Sequence, residues 1–239
     1  MTTSFPRFEE EEWLDEDLGS PEEVASALRS LRWVNRLFGG TRMHQRLLLR
    51  ATRDIPRQSC LHLMEVAAGH ATVLQSATVR LQWPADRLRI TLLDRSTQHF
   101  PKAAEWHPLL PPPEHITADA LHIPLPDNSV DIISNCLFLH HLSEDGIRRY
   151  LAEALRVARV AVLINDLERN WLHYQLARLM SLIDPSRISR HDGPVSVQQS
   201  YTPAELRLIA EETGCPFEMH RGYLFRMGLI LWKYPRTAS

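Results

Sequence analysis

The pattern of apolar and polar positions divides this chain into alternating strands and helices from Leu61 onward. Short runs rich in Val, Ile and Leu alternate with segments in which apolar residues recur every three or four positions. Such apolar runs are typical of strands buried on both faces, as in a parallel sheet covered by helices. The predicted strands are residues 61–66, 87–94, 114–118, 129–137 and 159–166, and the predicted helices between them are 70–82, 96–105 and 143–158.

The two ends of the chain add further helices and a hairpin. Ser20-Pro21-Glu22-Glu23 combines a hydroxyl N-cap, a proline at N1 and a glutamate at N3, so it predicts a helix start. That helix should end at Gly39-Gly40. The remaining predictions are helices at 43–52 and 170–183, a polar stretch at 185–201 to which no element is assigned, a helix capped by Thr202, and two closing strands within "FEMHRGYLFRMGLILWKY".

These elements predict one architecture, an α/β fold. It is a Rossmann-like, doubly wound, mostly parallel seven-stranded sheet with a closing antiparallel hairpin and an N-terminal helical lid. We predict a division into residues 1–55, an acidic tail with a helical cap, and residues 56–239, the domain that carries the sheet. The acidic run at residues 9–17 indicates a solvated segment, anchored by Trp13 and Leu14.

Composition narrows the classes of partner. The 239 residues are 44% hydrophobic and carry a net charge of -2, so no global field attracts nucleic acid or an anionic membrane. Cys60, Cys136 and Cys215 lack CxxC spacing, which argues against disulfides or a structural metal and fits a reducing cytoplasm. Neither a signal peptide nor a membrane-spanning run is evident in the sequence, and a homodimer is left open.

Polar residues stand at or just past the carboxyl end of each predicted parallel strand, where ligands bind in open sheets of this kind. Several have simpler explanations: Asp94 could cap the next helix, and Asp119 could be a turn residue. Glu65 is harder to explain away, because a carboxylate in an apolar strand is costly without a partner. The strand-end groups are Glu65 with the loop Ala67–Ala71, Asp94-Arg95, Asp119-Ala120, Ser134-Asn135-Cys136 and Asn165-Asp166, the last of which could cap a helix.

The spacing of these groups suits a nucleoside cofactor. Asp94 lies at the end of the strand that follows Gly69, where a carboxylate can accept both hydroxyls of a ribose. A dinucleotide site would also need glycines where the chain has Ala67, His70 and Ala71. A cofactor that carries a sulfonium cation and no phosphate relaxes that need and suits an acidic pocket. The residues therefore favour S-adenosylmethionine over a nicotinamide dinucleotide.

Three stretches resemble the class I S-adenosylmethionine-dependent methyltransferases, over about residues 58–235. "LMEVAAGHA" is similar to their first motif, "ITLLDR" to their second, and "ITADALHIPLPDNSVDIISNCLFLHHL" to the segment around strand 4. The resemblance implies S-adenosylmethionine as cofactor and a small-molecule acceptor of the kind used in bacterial secondary metabolism. It also implies that Glu65, Ala67, Gly69, Asp94, Arg95, Asp119, Ala120, Asn135 and Cys136 bind the cofactor. Two of the three loop glycines are alanine here, which is tolerable where φ is negative.

Histidine is the side chain best suited to deprotonate a phenolic acceptor. His140 ranks first as a catalytic base because it follows strand 4, and His173 and His191 are further catalytic candidates. His141 is expected to be structural. Arg36, Arg42 and His44 are weaker candidates, which a solvated helix face explains as well.

The sequence supports one leading function and two alternatives. The leading one is methyl transfer to a small molecule, on a hydroxyl of a phenolic or polyketide-like metabolite. The main alternative is an inactive protein with this fold that acts as a binding partner, which the glycine-poor loop motivates. A nicotinamide-dependent oxidoreductase is disfavoured, since the chain has no Tyr-x-x-x-Lys pair.

Overall fold

A seven-stranded sheet forms the centre of the computed structural model, which describes residues 5–8, 10–14 and 19–235. The strand order is β3-β2-β1-β4-β5-β7-β6. The first five strands run parallel, and β7 is antiparallel to both of its neighbours. This confirms the predicted fold class. The strands are β1 (Leu61–Val66), β2 (Leu88–Asp94), β3 (Glu114–Thr117), β4 (Val130–Cys136), β5 (Ala158–Leu167), β6 (Phe217–Arg221) and β7 (Arg226–Trp232).

Seven α-helices are found in the part of the chain that the structure describes. None of the described helices is long and apolar enough to cross a membrane. The helix that begins after Ser20 has both hydrogen bonds of a capping box, as predicted, and Gly39 follows its end with φ of 82°. The helices are α1 (Pro21–Leu37), α2 (Gly40–Thr52), α3 (Thr72–Leu81), α4 (Glu144–Val157), α5 (Trp171–Ser181), α6 (Arg187–Gln199) and α7 (Pro203–Glu212).

Helices cover both faces of the sheet. On one face, α2 and α3 contribute residues such as Leu47, Leu48 and Leu74 to a core cluster with β1, β2 and β5. On the other, α4 and α7 contribute residues such as Leu151 and Leu206 to a second cluster. Because α2 is part of a covering layer, only α1 remains as the helix of the predicted lid. The predicted boundary between residues 55 and 56 stays a prediction.

Two local predictions were wrong. Residues 96–105 form two short 3₁₀ turns instead of a helix. Pro101 explains this, because it lacks an N–H donor and keeps the preceding Phe100 extended, with ψ of 144°. The polar stretch 185–201 contains a helix, α6, that includes Pro194. Its apolar positions are too few to give a helical period, and packing against α1 and α5 compensates.

The described part of the acidic N-terminal segment is bound to α6 and to the turn after β4. The backbone N–H groups of Trp13 and Leu14 donate to the two carboxylate oxygens of Asp192, at 2.9 and 3.0 Å. Arg7 donates to the carbonyl oxygens of Gln199 and Leu142. Trp13 and Leu14 therefore anchor the segment, as predicted. The acidic residues 9 and 15–17 lie outside the described residues.

Candidate active site

A cavity of about 1250 Å³ opens at the carboxyl edge of the parallel strands. The ends of β1, β2 and β4 and the turns that follow them form one part of its wall, and α1 covers another part with Val24, Leu28 and Leu31. This is the position at which an open α/β sheet binds its ligand, next to the point where β1 lies between β2 and β4. The cavity therefore defines the candidate active site.

The loop after β1 has the backbone of a glycine-rich turn although it contains one glycine. Ala67, Gly69 and Ala71 have φ values of 51°, 46° and 49°, all in the left-handed region. Hydrogen bonds hold the turn, since Ala68 N donates to the carbonyl of Leu93 and Ala71 N to that of Ala68. The two alanines thus carry backbone strain at positions where the resembled family has glycine. The expectation that alanine would be tolerated because φ is negative does not hold, since φ is positive at both positions.

We expect glycine at position 67 or 71 to stabilise the protein. An alanine in the left-handed region costs roughly 1–2 kcal/mol of stability, which glycine removes. Glycine also gives the unfolded chain more conformational entropy, which offsets part of this gain. Each substitution should therefore raise the free energy of unfolding by about 0.5–1 kcal/mol. Chemical denaturation of Ala67→Gly and Ala71→Gly measures it. Ala152→Gly, at an exposed position of α4, is the matched control and should lose about 1 kcal/mol. Equal destabilisation in all three variants would contradict the strain.

Asp94 joins the loop to the end of β2. Its Oδ2 accepts the backbone N–H of Gly69 at 2.8 Å, and its Oδ1 lies 2.8 Å from Nδ1 of His99 and 3.2 Å from the N–H of Ser96. Burial alone would raise the pKa of Asp94, but the hydrogen bonds from His99, Gly69 and Ser96 together hold it below its usual value. Asp94 is therefore an ionised acceptor on the cavity wall, suited to ribose hydroxyls.

Glu65 is a neutral acid in the wall of the cavity. It is buried at the end of β1 and accepts a hydrogen bond from the hydroxyl of Ser134. Burial raises the pKa of Glu65 to about 8, against the smaller opposing effect of Ser134. Nε2 of His44, on α2, lies 3.7 Å from Glu65 Oε2. The interpretation of His44 as part of a solvated face was wrong, because its side chain is fully buried.

The structure brings most of the predicted cofactor residues together. Arg95, Asp119, Ala120 and Cys136 line the cavity with Glu65, Ala67, Gly69 and Asp94. Asp119 also accepts the N–H of Leu121, so the turn interpretation holds as well. Asn135 is the exception among the predicted residues. Successive strand residues point to opposite faces, and its amide donates to the Tyr150 hydroxyl on α4, away from the cavity.

His140 is clamped between two carboxylates and is absent from the described lining of the cavity. Its Nδ1 lies 2.7 Å from Asp166 Oδ1, and its Nε2 lies 3.5 Å from Glu12 Oε1. Burial opposes a charge on the ring, but Asp166 and Glu12 together raise the pKa of His140 to about 10. A side chain that is cationic at neutral pH cannot accept a proton, so this geometry opposes the predicted role of His140 as catalytic base.

Glu12 and His140, together with His141, are the described residues whose spacing could suit a metal ion. Ligand atoms of Glu12, His140 and His141 lie within 4.8 Å of one another. Ser196 and Gln199 each donate to Glu12 Oε1 at 2.7 Å, so that oxygen already has partners. The arrangement is explained as an ion-pair clamp that fastens the N-terminal segment.

The other two predicted catalytic histidines also lie outside the described lining of the cavity. His173 contacts the carbonyl of Glu168 through Nδ1 and stacks on Phe225, and burial lowers its pKa to about 4. His191 stacks on Trp13. Both rings pack against neighbouring elements, so the geometry gives them structural roles in place of the predicted catalytic ones.

Sequence reasoning underestimated three contributors to the site. His141, expected to be structural, lines the cavity next to Leu142. His140 and His141 are neighbours in one 3₁₀ turn. The sequence alone therefore does not indicate which of the two rings lines the cavity. His99 supports Asp94, and α1 provides apolar wall that its helical period alone could not direct to the cavity.

Comparison with known proteins agrees with this site. Residues 64–162 match a family model described as a methyltransferase domain. No curated protein matches the sequence. Among solved structures, the plantazolicin methyltransferase BpumL in complex with a pentazolic desmethylPZN analog and SAH superposes with a TM-score of 0.67 at 12% identity, over 93% of this chain and 94% of that one. An S-adenosylmethionine-dependent methyltransferase from Aquifex aeolicus gives 0.57 at 18% identity, covering 91% and 95% of the two chains.

A human structure extends the comparison. N-acetylserotonin methyltransferase in complex with SAM gives a TM-score of 0.58 at 16% identity, over 89% of this chain and 57% of that one. At such identities the superpositions establish the shared fold. The family match adds the domain type for the segment from β1 to β5.

Proposed function

Residues 64–162 form a class I S-adenosylmethionine-dependent methyltransferase domain, and from that premise we propose that the chain methylates a hydroxyl of a small phenolic or polyketide-like metabolite. The domain makes the chain an S-adenosylmethionine-dependent methyltransferase. The nature of the acceptor is the proposed part, together with a place in secondary metabolism. The alternative of an inactive binding partner is tested by the same experiments, and a homodimer stays a prediction.

The size of the cavity is the observation that carries the proposal. Pockets for one small ligand typically measure about 300–1,000 Å³. The cavity of about 1250 Å³ has room for the cofactor and for a second small molecule beside it. A folded protein chain or a nucleic acid would need an open surface instead, and the net charge of -2 gives nucleic acid no attraction.

The lining indicates an apolar acceptor. Val24, Leu28 and Leu31 from α1 face the cavity together with Phe138 and Leu142 from the turn after β4. Aliphatic and aromatic walls bind rings and hydrocarbon segments through burial of apolar surface. This apolar part of the wall supports a phenolic or polyketide-like molecule, and the cationic side chains of Arg29, Arg32 and Lys102 line the same cavity.

The residues present fit the cofactor. Asp94 offers carboxylate oxygens to ribose hydroxyls, and the loop at Ala67–Ala71 lets the backbone approach the ligand through its left-handed positions. Asp119 adds a carboxylate that suits a cation, and Glu65 adds a buried carboxyl group. When bound, S-adenosylmethionine supplies an electrophilic methyl group. The chain's own part is to hold the acceptor oxygen in line with that methyl and to exclude water.

His141 is the histidine of the cavity wall at the turn after β4 that we propose as general base. Replacing it with glutamine should lower kcat by about 10²–10⁴-fold with little change in KM, because the acceptor still binds but keeps its proton. Rates with the acceptor found below, measured from pH 6 to pH 9, check this. His220→Gln, on β6 and outside the described lining of the cavity, is the control. An unchanged kcat would show that transfer uses no base at this position.

The proposed acceptor class is tested with methyl-labelled S-adenosylmethionine and panels of small phenols, carboxylic acids and amines. We expect label transfer to phenols and little to the other two panels. Transfer restricted to amines would overturn the hydroxyl proposal and leave the methyltransferase intact. Cofactor binding without transfer to any panel, or no binding by folded protein, would favour the inactive alternative.

A further inference from the structure

Two buried side chains, Glu65 of β1 and His44 of α2, lie close together, and Glu65 is the one that reaches the cavity. Their closest atoms, Oε2 and Nε2, are 3.7 Å apart, too far for a hydrogen bond. Glu65 also lines the cavity and takes the hydroxyl hydrogen bond of Ser134. Neither ring nitrogen of His44 has a hydrogen-bond partner among the described residues. The pair therefore holds unused hydrogen-bonding capacity next to the candidate cofactor site.

Among the described residues, no charged side chain is paired with Glu65, and the buried cation of Arg226, on β7, interacts with Cys136 and Asp166 instead. The titratable groups that interact with it are His44 from α2, Cys136 from β4 and Tyr150 from α4. Burial raises the pKa of Cys136 and of Tyr150, so both keep their protons. Burial lowers the pKa of His44 to about 4 and raises that of Glu65 to about 8. At neutral pH all four groups are uncharged.

A buried imidazole without a hydrogen-bond partner is costly unless another state of the protein uses it. A neutral imidazole has one N–H donor. Nε2 is the His44 nitrogen that lies near Glu65, with Oε2 as the oxygen close to it. A small side-chain movement would close the gap of 3.7 Å to a hydrogen bond. Such a bond is strongest when its acceptor is ionised.

We propose, on the premise of the proposed function, that Glu65 is protonated in the ligand-free protein and loses its proton when the cationic cofactor binds. His44 then donates its Nε2–H to the new carboxylate. The O–H bond of Glu65 breaks, the proton leaves to water through the cavity, and His44 keeps its own proton throughout. His44 acts through Glu65 and is thus a positioning residue.

The proposal fixes the sign of the pH dependence. A proton released on binding makes cofactor affinity rise with pH, by up to tenfold per pH unit, while the free protein still holds that proton. The rise should end near pH 8, where Glu65 ionises without ligand. Above that pH the affinity no longer depends on this group.

Calorimetric titration of the whole chain with S-adenosylmethionine in phosphate and in Tris at pH 7 counts the protons, because the two buffers differ in ionisation enthalpy. We expect close to one proton released by the wild type and none from this site in Glu65→Gln. Binding without proton release, or equal release by both proteins, overturns the inference and leaves the proposed function standing. Absence of binding overturns both.

The role of His44 has its own test. His44→Met removes the donor and should weaken binding about tenfold, whereas His44→Gln keeps an N–H and should stay near the wild type. In the Glu65→Gln background, His44→Met should weaken cofactor binding no further. A purely structural role of His44 would weaken binding in both backgrounds. Equal losses in both backgrounds overturn the assignment.

Should His44→Met not fold, infrared difference spectra of the wild type decide. Loss of a protonated carboxyl band on cofactor addition supports the inference, and persistence of that band overturns it.

Discussion

Replacing Asp94 with alanine is expected to weaken S-adenosylmethionine binding more than a hundredfold. The carboxylate is ionised and offers two oxygens on the cavity wall. Hydrogen bonds to a charged group contribute about 1.5–3 kcal/mol each, so the loss of two ribose contacts removes roughly 3–6 kcal/mol. The loop also loses the bond from Gly69 to Asp94 that holds its backbone.

Calorimetry together with thermal unfolding separates these effects. Asp94→Asn keeps the shape and one acceptor oxygen, so it should bind more tightly than the alanine variant and unfold close to the wild type. Asp86→Ala, at an exposed aspartate outside the site, is the control and should change neither quantity. Wild-type affinity in folded Asp94→Ala would remove this carboxylate from the site.

Asp94 also illustrates how far the sequence predicts the site. Its place after an apolar run and its distance from Gly69 are properties of the chain, so the resemblance and the spacing both predict it. Its partner His99 lies in a segment predicted as helix, and Pro101 turns that segment into two 3₁₀ turns. Asp94 was predictable because the carboxyl ends of parallel strands converge at one edge of the sheet. The hydrogen bond from His99 was not, because it depends on an irregular turn.

The fold was more predictable than the catalytic histidines. The prediction for β1 is the observed Leu61–Val66, because an apolar run of this length between polar segments suits a strand and is too short for a buried helix. His140 and His141 are adjacent in one 3₁₀ turn, and the sequence does not tell which ring faces the cavity. The structure places His141 there and buries His140 between Asp166 and Glu12. That choice depends on β5 and the N-terminal segment, which are distant in sequence.

The clamp at His140 leads to the second large effect, a loss of about 3–5 kcal/mol in the free energy of unfolding of Asp166→Ala. Asp166 is fully buried and accepts the N–H groups of Phe138 and Leu139 as well as the His140 ring. Removing it leaves buried donors unpaired and takes away one of the two carboxylates that hold His140 charged. Denaturant unfolding at pH 7 measures the loss, and the exposed Asp145→Ala should lose less than about 1 kcal/mol.

The pH dependence of stability distinguishes the clamp from ordinary packing. The pKa of His140 is raised from 6.5 to about 10, so its stabilisation is complete below pH 6.5 and declines as the pH rises toward 10. The raised pKa of Glu65, about 8, adds a second declining contribution up to that pH. Between pH 7 and pH 8 the wild type should therefore lose stability with a slope of about one and a half protons. Asp166→Ala should lose up to about one proton of that slope, because His140 then gives up its charge more easily. An unchanged slope in this variant would mean that Asp166 stabilises the turn through its backbone hydrogen bonds and not through the charge of His140.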